Sequence, residues 1–275
     1  MLPHYVIVLT ENDPVARGVD ALLGVRPAVG ENVEGVPLRA LNERVWTVKR
    51  AGPHVHDERL DRHLPSTLQE ARVPLVFPSI HRSGQGRSCF TTHPLGNLGP
   101  TSELGGRART VAPTAPRLMA AALRQLAELG PTVGLTATYE ATHHGPELAV
   151  PAFFVELLGG SPPDRPAPEH LQALATILGE FEEDPRDRVA VGVGGGHYAP
   201  HFTDLALKRH WAFGHLLPRH ALPELDPTTA RQVLDATPGA EGFIFSRAAD
   251  AELTIFQGLA ARLREADAAE RSPTA

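Results

Sequence analysis

Short apolar, β-branched runs recur along the chain, and most of them end in a polar or glycine-rich turn. Residues 5–10 (YVIVLT) read as a buried strand, and the spacing of Val15, Val19, Leu22 and Leu23 puts them on one face of a helix that Asp13 would cap and Pro14 would start. Further strands are expected over 74–79, 88–93, 132–141, 152–158, 189–193, 211–217 and 242–246. Helices are expected from about residue 114, with Met119, Leu123 and Leu126 as a stripe, and after the proline-crowded segment 162–168, with Leu171, Leu174, Leu178 and Phe181 on one face. Two more are expected over 227–234 and 251–263, and the segment 142–146 reads as a turn. Strands alternating with helices predict a three-layer α/β/α fold with a mixed, mostly parallel sheet covered by helices on both faces. We expect one domain over residues 1–265 and a polar tail over 266–275.

Composition narrows the class. The 275 residues are 42% hydrophobic and 21% charged, with no long apolar run and no leader pattern, which predicts a soluble, cytoplasmic protein. A single cysteine, Cys89, excludes an internal disulfide framework and a thiolate-rich zinc site, so any metal must use histidine and carboxylate. The net charge of −6 argues against a general nucleic-acid binder. Between residues 81 and 124, however, six arginines (Arg82, Arg87, Arg107, Arg109, Arg117 and Arg124) face one acid, Glu103: either a phosphate-binding patch or a dispersed, solvated set.

Four polar turns at the ends of predicted strands carry the candidate chemistry: Ser79 to Ser83, Thr92 to Asn97, Glu140 to Pro146 and Gly194 to Pro200. Ligands of open α/β sheets bind beyond the carboxyl ends of the strands, so these turns would converge His81, His93, His143, His144 and His197 on one cleft. The triple glycine Gly194, Gly195 and Gly196 could offer bare backbone N–H groups to a phosphate or an oxyanion, or could be a tight turn of small residues. It lacks the spacing of a Walker A loop or of GxGxxG, so no nucleotide cofactor is expected. Glu140, His144 and His197 could bind zinc with an open position, or act without metal as base and electrostatic anchor. Cys89, inside a predicted strand, is a poor nucleophile.

Taken together, DP (Asp13, Pro14), SxHxS (Ser79, His81, Ser83), THPxGN (Thr92, His93, Pro94, Gly96, Asn97), ExGG (Glu103, Gly105, Gly106), ExTHHGP (Glu140, Thr142 to Pro146) and GGGHYAP (Gly194 to Pro200) closely resemble the archaeal and plant D-aminoacyl-tRNA deacylases. The order is collinear over roughly residues 4–260. The resemblance implies a phosphorylase/hydrolase-like fold and hydrolysis of the ester joining a D-amino acid to the tRNA 3′ end. It further implies action on N-modified D-aminoacyl adducts, and an association with Zn2+. His201 and Glu147 depart from the family pattern. Catalytic candidates are then His197, His144, Glu140 and His143, with His144, His197 and Glu140 as metal ligands. Ser79, His81, Ser83, His93, Asn97, Gly194, Gly195, Gly196, Tyr198, Arg82 and Arg107 are expected to hold the 3′ end and acceptor phosphates of D-aminoacyl-tRNA. A metal-dependent hydrolase of small esters or amides, and a non-catalytic binder of tRNA or nucleotides, are the alternatives.

Overall fold

The computed structural model describes residues 2–81, 88–158 and 165–246. The chain order is β1 (Tyr5–Thr10), α1 (Pro14–Leu23), β2 (Ala28–Val33), β3 (Val36–Ala40), β4 (Val45–Arg50), α2 (Ser66–Glu70), β5 (Leu75–His81), β6 (Cys89–Pro94), β7 (Gly96–Asn97), β8 (Thr110–Val111), α3 (Pro116–Leu129) and β9 (Thr136–Tyr139). It continues through β10 (Ala152–Leu158), α4 (Pro168–Ile177), β11 (Arg188–Val193), α5 (Pro200–Arg209), β12 (Trp211–Leu217), α6 (Pro227–Asp235) and β13 (Ala240–Phe245). Arg82, Ser83, Arg87, Pro162, Pro163, the helix expected over 251–263 and the tail lie outside the described residues.

Eight strands form a mixed sheet in the order β2-β3-β4-β1-β5-β10-β6-β9. Its centre, β4-β1-β5-β10, is parallel; β6 runs antiparallel to β10, and β2 and β3 form an antiparallel edge. Alternation along the strands sorts the side chains between two cores. Tyr5, Ile7, Leu9, Val76, Phe153 and Val155 pack with residues of α1, α3, α4 and α5 on one face. Val6, Val8, Leu75, Phe77, Ala152 and Phe154 face the opposite way, onto Leu60, Leu64 and Leu68 from a 3-10 turn and α2. Each side chain so buried contributes about 1.5–3 kcal/mol. The three-layer α/β/α architecture thus holds, with one outer layer made of short helical turns.

Three expectations change. The strands β11, β12 and β13 do not extend the main sheet but form their own parallel sheet, ordered β12-β11-β13. The strand expected over 132–141 shrinks to Thr136–Tyr139, because Gly130–Val133, containing Pro131, make a 3-10 turn. A helix the spacing did not suggest, α5, follows Ala199; it buries only Phe202, Thr203 and Ala206.

His215, fully buried on β12, joins the second sheet to the turn at Thr142. Its Nε2–H donates to the Ala112 carbonyl (3.0 Å), so Nδ1 accepts from Thr142 Oγ1 (3.1 Å), which itself accepts from Leu216 N (3.0 Å). Burial pushes the imidazole down to about 4, only partly offset by the bond to Ala112. Because its folded pKa lies below the unfolded value, its contribution is complete above about 6.5 and is lost as pH falls towards 4, on the order of 3 kcal/mol. The urea midpoint should therefore fall between pH 7 and pH 4.5, and less steeply in His215→Gln. Identical midpoints at the two pH values contradict this.

Candidate active site

The face-sorting that buries Leu75 and Phe77 carries on up the same strands, where it presents polar groups instead. Ser79 and His81 on β5, Glu156 on β10 and His93 on β6 share the face of Phe77 and Phe154, with Glu156 opposite Ser79 and His93 opposite Phe154. The His93 ring stacks on Phe154 (5.1 Å, 3°), which in turn stacks on Phe77 (5.0 Å). Above this floor lies a cavity of about 540 Å3, lined among others by Asp13, His54, Ser79, His81, Leu104, His143, His144, Glu156 and His197.

Asp13 fixes one wall. Its Oδ1 accepts from Val15 N and Ala16 N as the cap of α1, while Oδ2 accepts from Ile80 N (3.0 Å) and Ser79 Oγ (3.3 Å), pinning the end of β5 to the helix. Ser79 Oγ also lies 3.0 Å from His54 Nε2. The opposite wall is the turn after β9. Glu140 N donates to Thr92 O, Ala141 N to His197 O and Gly96 N to His144 O, so the main chain itself brings three predicted motifs together. Gly145 is required there: a Cβ would fall 2.2 Å from Gly106 N. Asn97 holds that loop through Nδ2 to Gly105 O (2.9 Å), a structural role. Glu147 pairs with Arg107 (3.0 Å), so its charge is answered within the chain.

Glu140 is the centre of the arrangement. It is wholly buried, and neither carboxyl oxygen has a hydrogen-bond partner. Around its Oε2 stand His81 Nδ1 at 3.5 Å, His197 Nε2 at 3.5 Å and His143 Nε2 at 3.8 Å. These separations are too long for good hydrogen bonds. They are close to the roughly 3.3 Å between ligands of a tetrahedral ion with bonds of about 2.0–2.1 Å. His143 Nδ1–H donates to Ala141 O (2.8 Å), which fixes the tautomer and leaves Nε2 as a lone-pair donor. An orphaned buried carboxyl ringed by imidazoles fits a cation, and a nitrogen-rich set of this kind suits zinc.

Glu156, buried beside them, accepts from His81 Nδ1 (3.0 Å). Burial alone would raise its pKa, but the hydrogen bond from His81 and the nearby His93 imidazole, 3.6 Å away, hold it well below the carboxylate range. Burial would lower His81, yet the bond to Glu156 and the nearby Glu140 carboxylate raise it. Burial, reinforced by neighbouring histidines, pushes His143 well down and His144 down to about 3, so both are neutral at pH 7. His144 Nδ1–H donates to Gly145 O (2.7 Å), leaving Nε2 an acceptor.

The expected residues do not all meet. His81, His143, His144, His197 and Ser79 line the cavity; His93 and Glu140 lie buried beside it; Tyr198 bridges to Glu140 through its main chain. His144 is not in the group around Glu140, where His81 and His143 stand instead. The glycines also lie elsewhere. Gly194 N donates to Leu217 O (2.8 Å), and Gly195 and Gly196 line a separate depression with Arg219 and His220. Of the arginines, Arg109 bonds Asp226, Arg117 bonds the Asp187 carbonyl and Arg124 grips the Asp187 carboxylate at 2.7 and 2.6 Å, so these three brace the fold. The sequence reading missed Glu156 and His54. A lone carboxylate in the apolar run AFFVELL was the available signal for the first.

Fold and site together define an α/β protein with a buried histidine–carboxylate cluster at the ends of its sheet strands. Residues 69–255 match the family model described as D-aminoacyl-tRNA deacylase, and the chain belongs to that family. It is 37% identical over 190 residues to the D-aminoacyl-tRNA deacylase of Thermoplasma acidophilum, covering 68% of this chain and 73% of the relative. With that of Thermococcus kodakarensis it is 41% identical over 174 residues, 62% of either chain, so this alignment spans about three fifths of the relative. A crystal structure of a conserved protein of unknown function superposes with a TM-score of 0.78 at 25% identity, covering 96% of this chain and 94% of that one.

Proposed function

We infer that this chain is a hydrolase acting on the ester bond of D-aminoacyl-tRNA, and that it works with zinc at Glu140, His143 and His197, with His81 beside them as a donor to Glu156. Membership of the deacylase family supports the reaction; the single observation supporting the site is the partnerless Glu140 carboxyl among three imidazoles. Aminoacyl esters are activated, so hydrolysis needs an oriented water and stabilisation of the developing oxyanion rather than a covalent nucleophile. A zinc ion held there would supply Lewis acidity for both needs near neutral pH. His144, neutral and with Nε2 bare, accepts a hydrogen bond from the attacking water and orients it. Glu156 holds His81 in place and keeps negative charge beside the cluster. The apolar floor of Phe77 and Phe154 keeps bulk water from below.

A hydrolase of small esters or amides would need no tRNA, and neither it nor a non-catalytic binder accounts for the family match. The chemistry is tested on D-tyrosyl-tRNA with chelator-stripped protein. Activity should disappear on stripping and return on adding one or more equivalents of Zn2+, whereas full activity with no bound metal contradicts the zinc assignment.

A further inference from the structure

Among the described residues, five large apolar side chains are markedly exposed, and of these only Leu104, at 59%, also lines the cavity. A side chain that is both open to solvent and part of a cavity wall stands at its mouth. Leu104 joins none of the apolar clusters of the described residues, so the fold gains no core packing from it. Its backbone is nevertheless closely fixed. Leu104 O accepts from Gly145 N (3.0 Å), Gly105 O accepts from Asn97 Nδ2 (2.9 Å), and Gly106 N donates to the Glu58 carboxylate. Gly105 and Gly106 have left-handed φ of +74° and +72°, and a Cβ on Gly105 would fall 1.6 Å from Val55 O. The two glycines of the ExGG motif thus press this turn against Val55 and hold Leu104 at the opening. Val55 and Pro53 line the cavity as well, and neither is fully buried, so they continue the same apolar surface.

We propose that Leu104, with Val55 and Pro53, forms a ledge for the base of the substrate's 3′-terminal nucleoside. This rests on the deacylase reading above. An ester held beside Glu140 and the histidines has two arms. The acyl arm ends in a side chain and can be enclosed. The alkoxy arm is a ribose that carries the base and continues into the polynucleotide, so it must leave through the mouth, where Leu104 stands. The flat face of a base is recognised by contact rather than by charge, which suits an apolar ledge on a chain of net charge −6. Contact at the ledge fixes the ribose, and through it the angle at which the ester carbonyl meets the attacking water. Because every tRNA ends in the same adenosine, the ledge serves any acyl group and leaves the choice of amino acid to the other walls.

Leu104→Ser and Leu104→Phe test it on D-tyrosyl-tRNA, on the 3′-O-D-tyrosyl and 3′-O-D-alanyl esters of adenosine, and on the D-tyrosyl ester of methyl riboside, which has no base. Leu104→Ser should keep the wild-type thermal midpoint, since the side chain is exposed and outside the core. It should raise KM about fivefold for the tRNA and for both adenosine esters, with kcat little changed, and leave the base-free ester unaffected. Leu104→Phe, which keeps an apolar face, should restore the wild-type KM. Free adenosine, as a competitive inhibitor of D-tyrosyl-tRNA hydrolysis, should bind the serine variant about fivefold more weakly than wild type. An unchanged KM for the tRNA, an equal loss on the base-free ester, or an unchanged inhibition by adenosine overturns the ledge. A loss on the tyrosyl but not the alanyl ester also overturns it, by placing the acyl side chain on Leu104. If the wild-type protein hydrolyses neither the tRNA nor any of these esters, it is the deacylase reading itself that fails.

Discussion

Glu140→Gln is expected to lower kcat/KM on D-tyrosyl-tRNA by about a thousandfold, or roughly 4 kcal/mol of transition-state stabilisation, and yet to make the metal-free protein more stable. Both signs follow from one geometry. The carboxyl is wholly buried, has no hydrogen-bond partner and faces nitrogens of His81, His143 and His197 at 3.5–3.8 Å. Such a group is costly to bury without a cation. Glutamine keeps the shape, can donate to a neighbouring imidazole, and removes the oxygen on which the ligand set converges. Steady-state rates, bound zinc and the thermal midpoint of chelated protein decide it. Retained activity, or a chelated variant less stable than chelated wild type, contradicts the role of Glu140.

The largest loss of stability is expected at Asp13. Its carboxylate receives Val15 N, Ala16 N, Ile80 N and Ser79 Oγ and is itself buried. Asp13→Ala removes a helix cap, worth about 1 kcal/mol, and strands buried donors at about 1–3 kcal/mol each. We expect a destabilisation of roughly 3–5 kcal/mol by urea unfolding. Activity should fall as well, because Ser79 and His81 lie on the strand end that Asp13 holds. Asp13→Asn, which keeps an acceptor for the cap, should lose about half as much. A loss below about 1 kcal/mol for the alanine variant contradicts this reading of the hydrogen bonds.

Much of this fold was legible because its inner strands are strongly patterned. The expected strand over 152–158 coincides with β10, that over 211–217 with β12, and the cap at Asp13 with the start of α1. The edge strands β2 and β3 were not read, since AVGENV carries glycine, glutamate and asparagine on an exposed hairpin. Nor does local pattern say that β11 pairs with β12 and β13 instead of β10, because pairing is decided by long-range packing.

The site divides along the same line. The histidine-rich turns supply the side chains that meet, and the fold brings Glu140, His143 and His197 together. Which histidines face Glu140 depends on the turn's geometry: His144 adopts a left-handed φ of +40° and bonds Gly145 O, which turns it out of the group and leaves the place to His143 and His81. Glu156 stayed hidden because its neighbours are those of an ordinary buried strand. Its partner His81 comes from β5, and only the register between β5 and β10 joins them.

The most direct measurement is the initial rate of hydrolysis of matched D- and L-tyrosyl-tRNA by zinc-loaded protein under identical conditions. The account predicts that the D-ester is hydrolysed tenfold or more faster, by about 1.4 kcal/mol or more in transition-state binding. Equal rates on the two esters, or no hydrolysis of the D-ester, would contradict it.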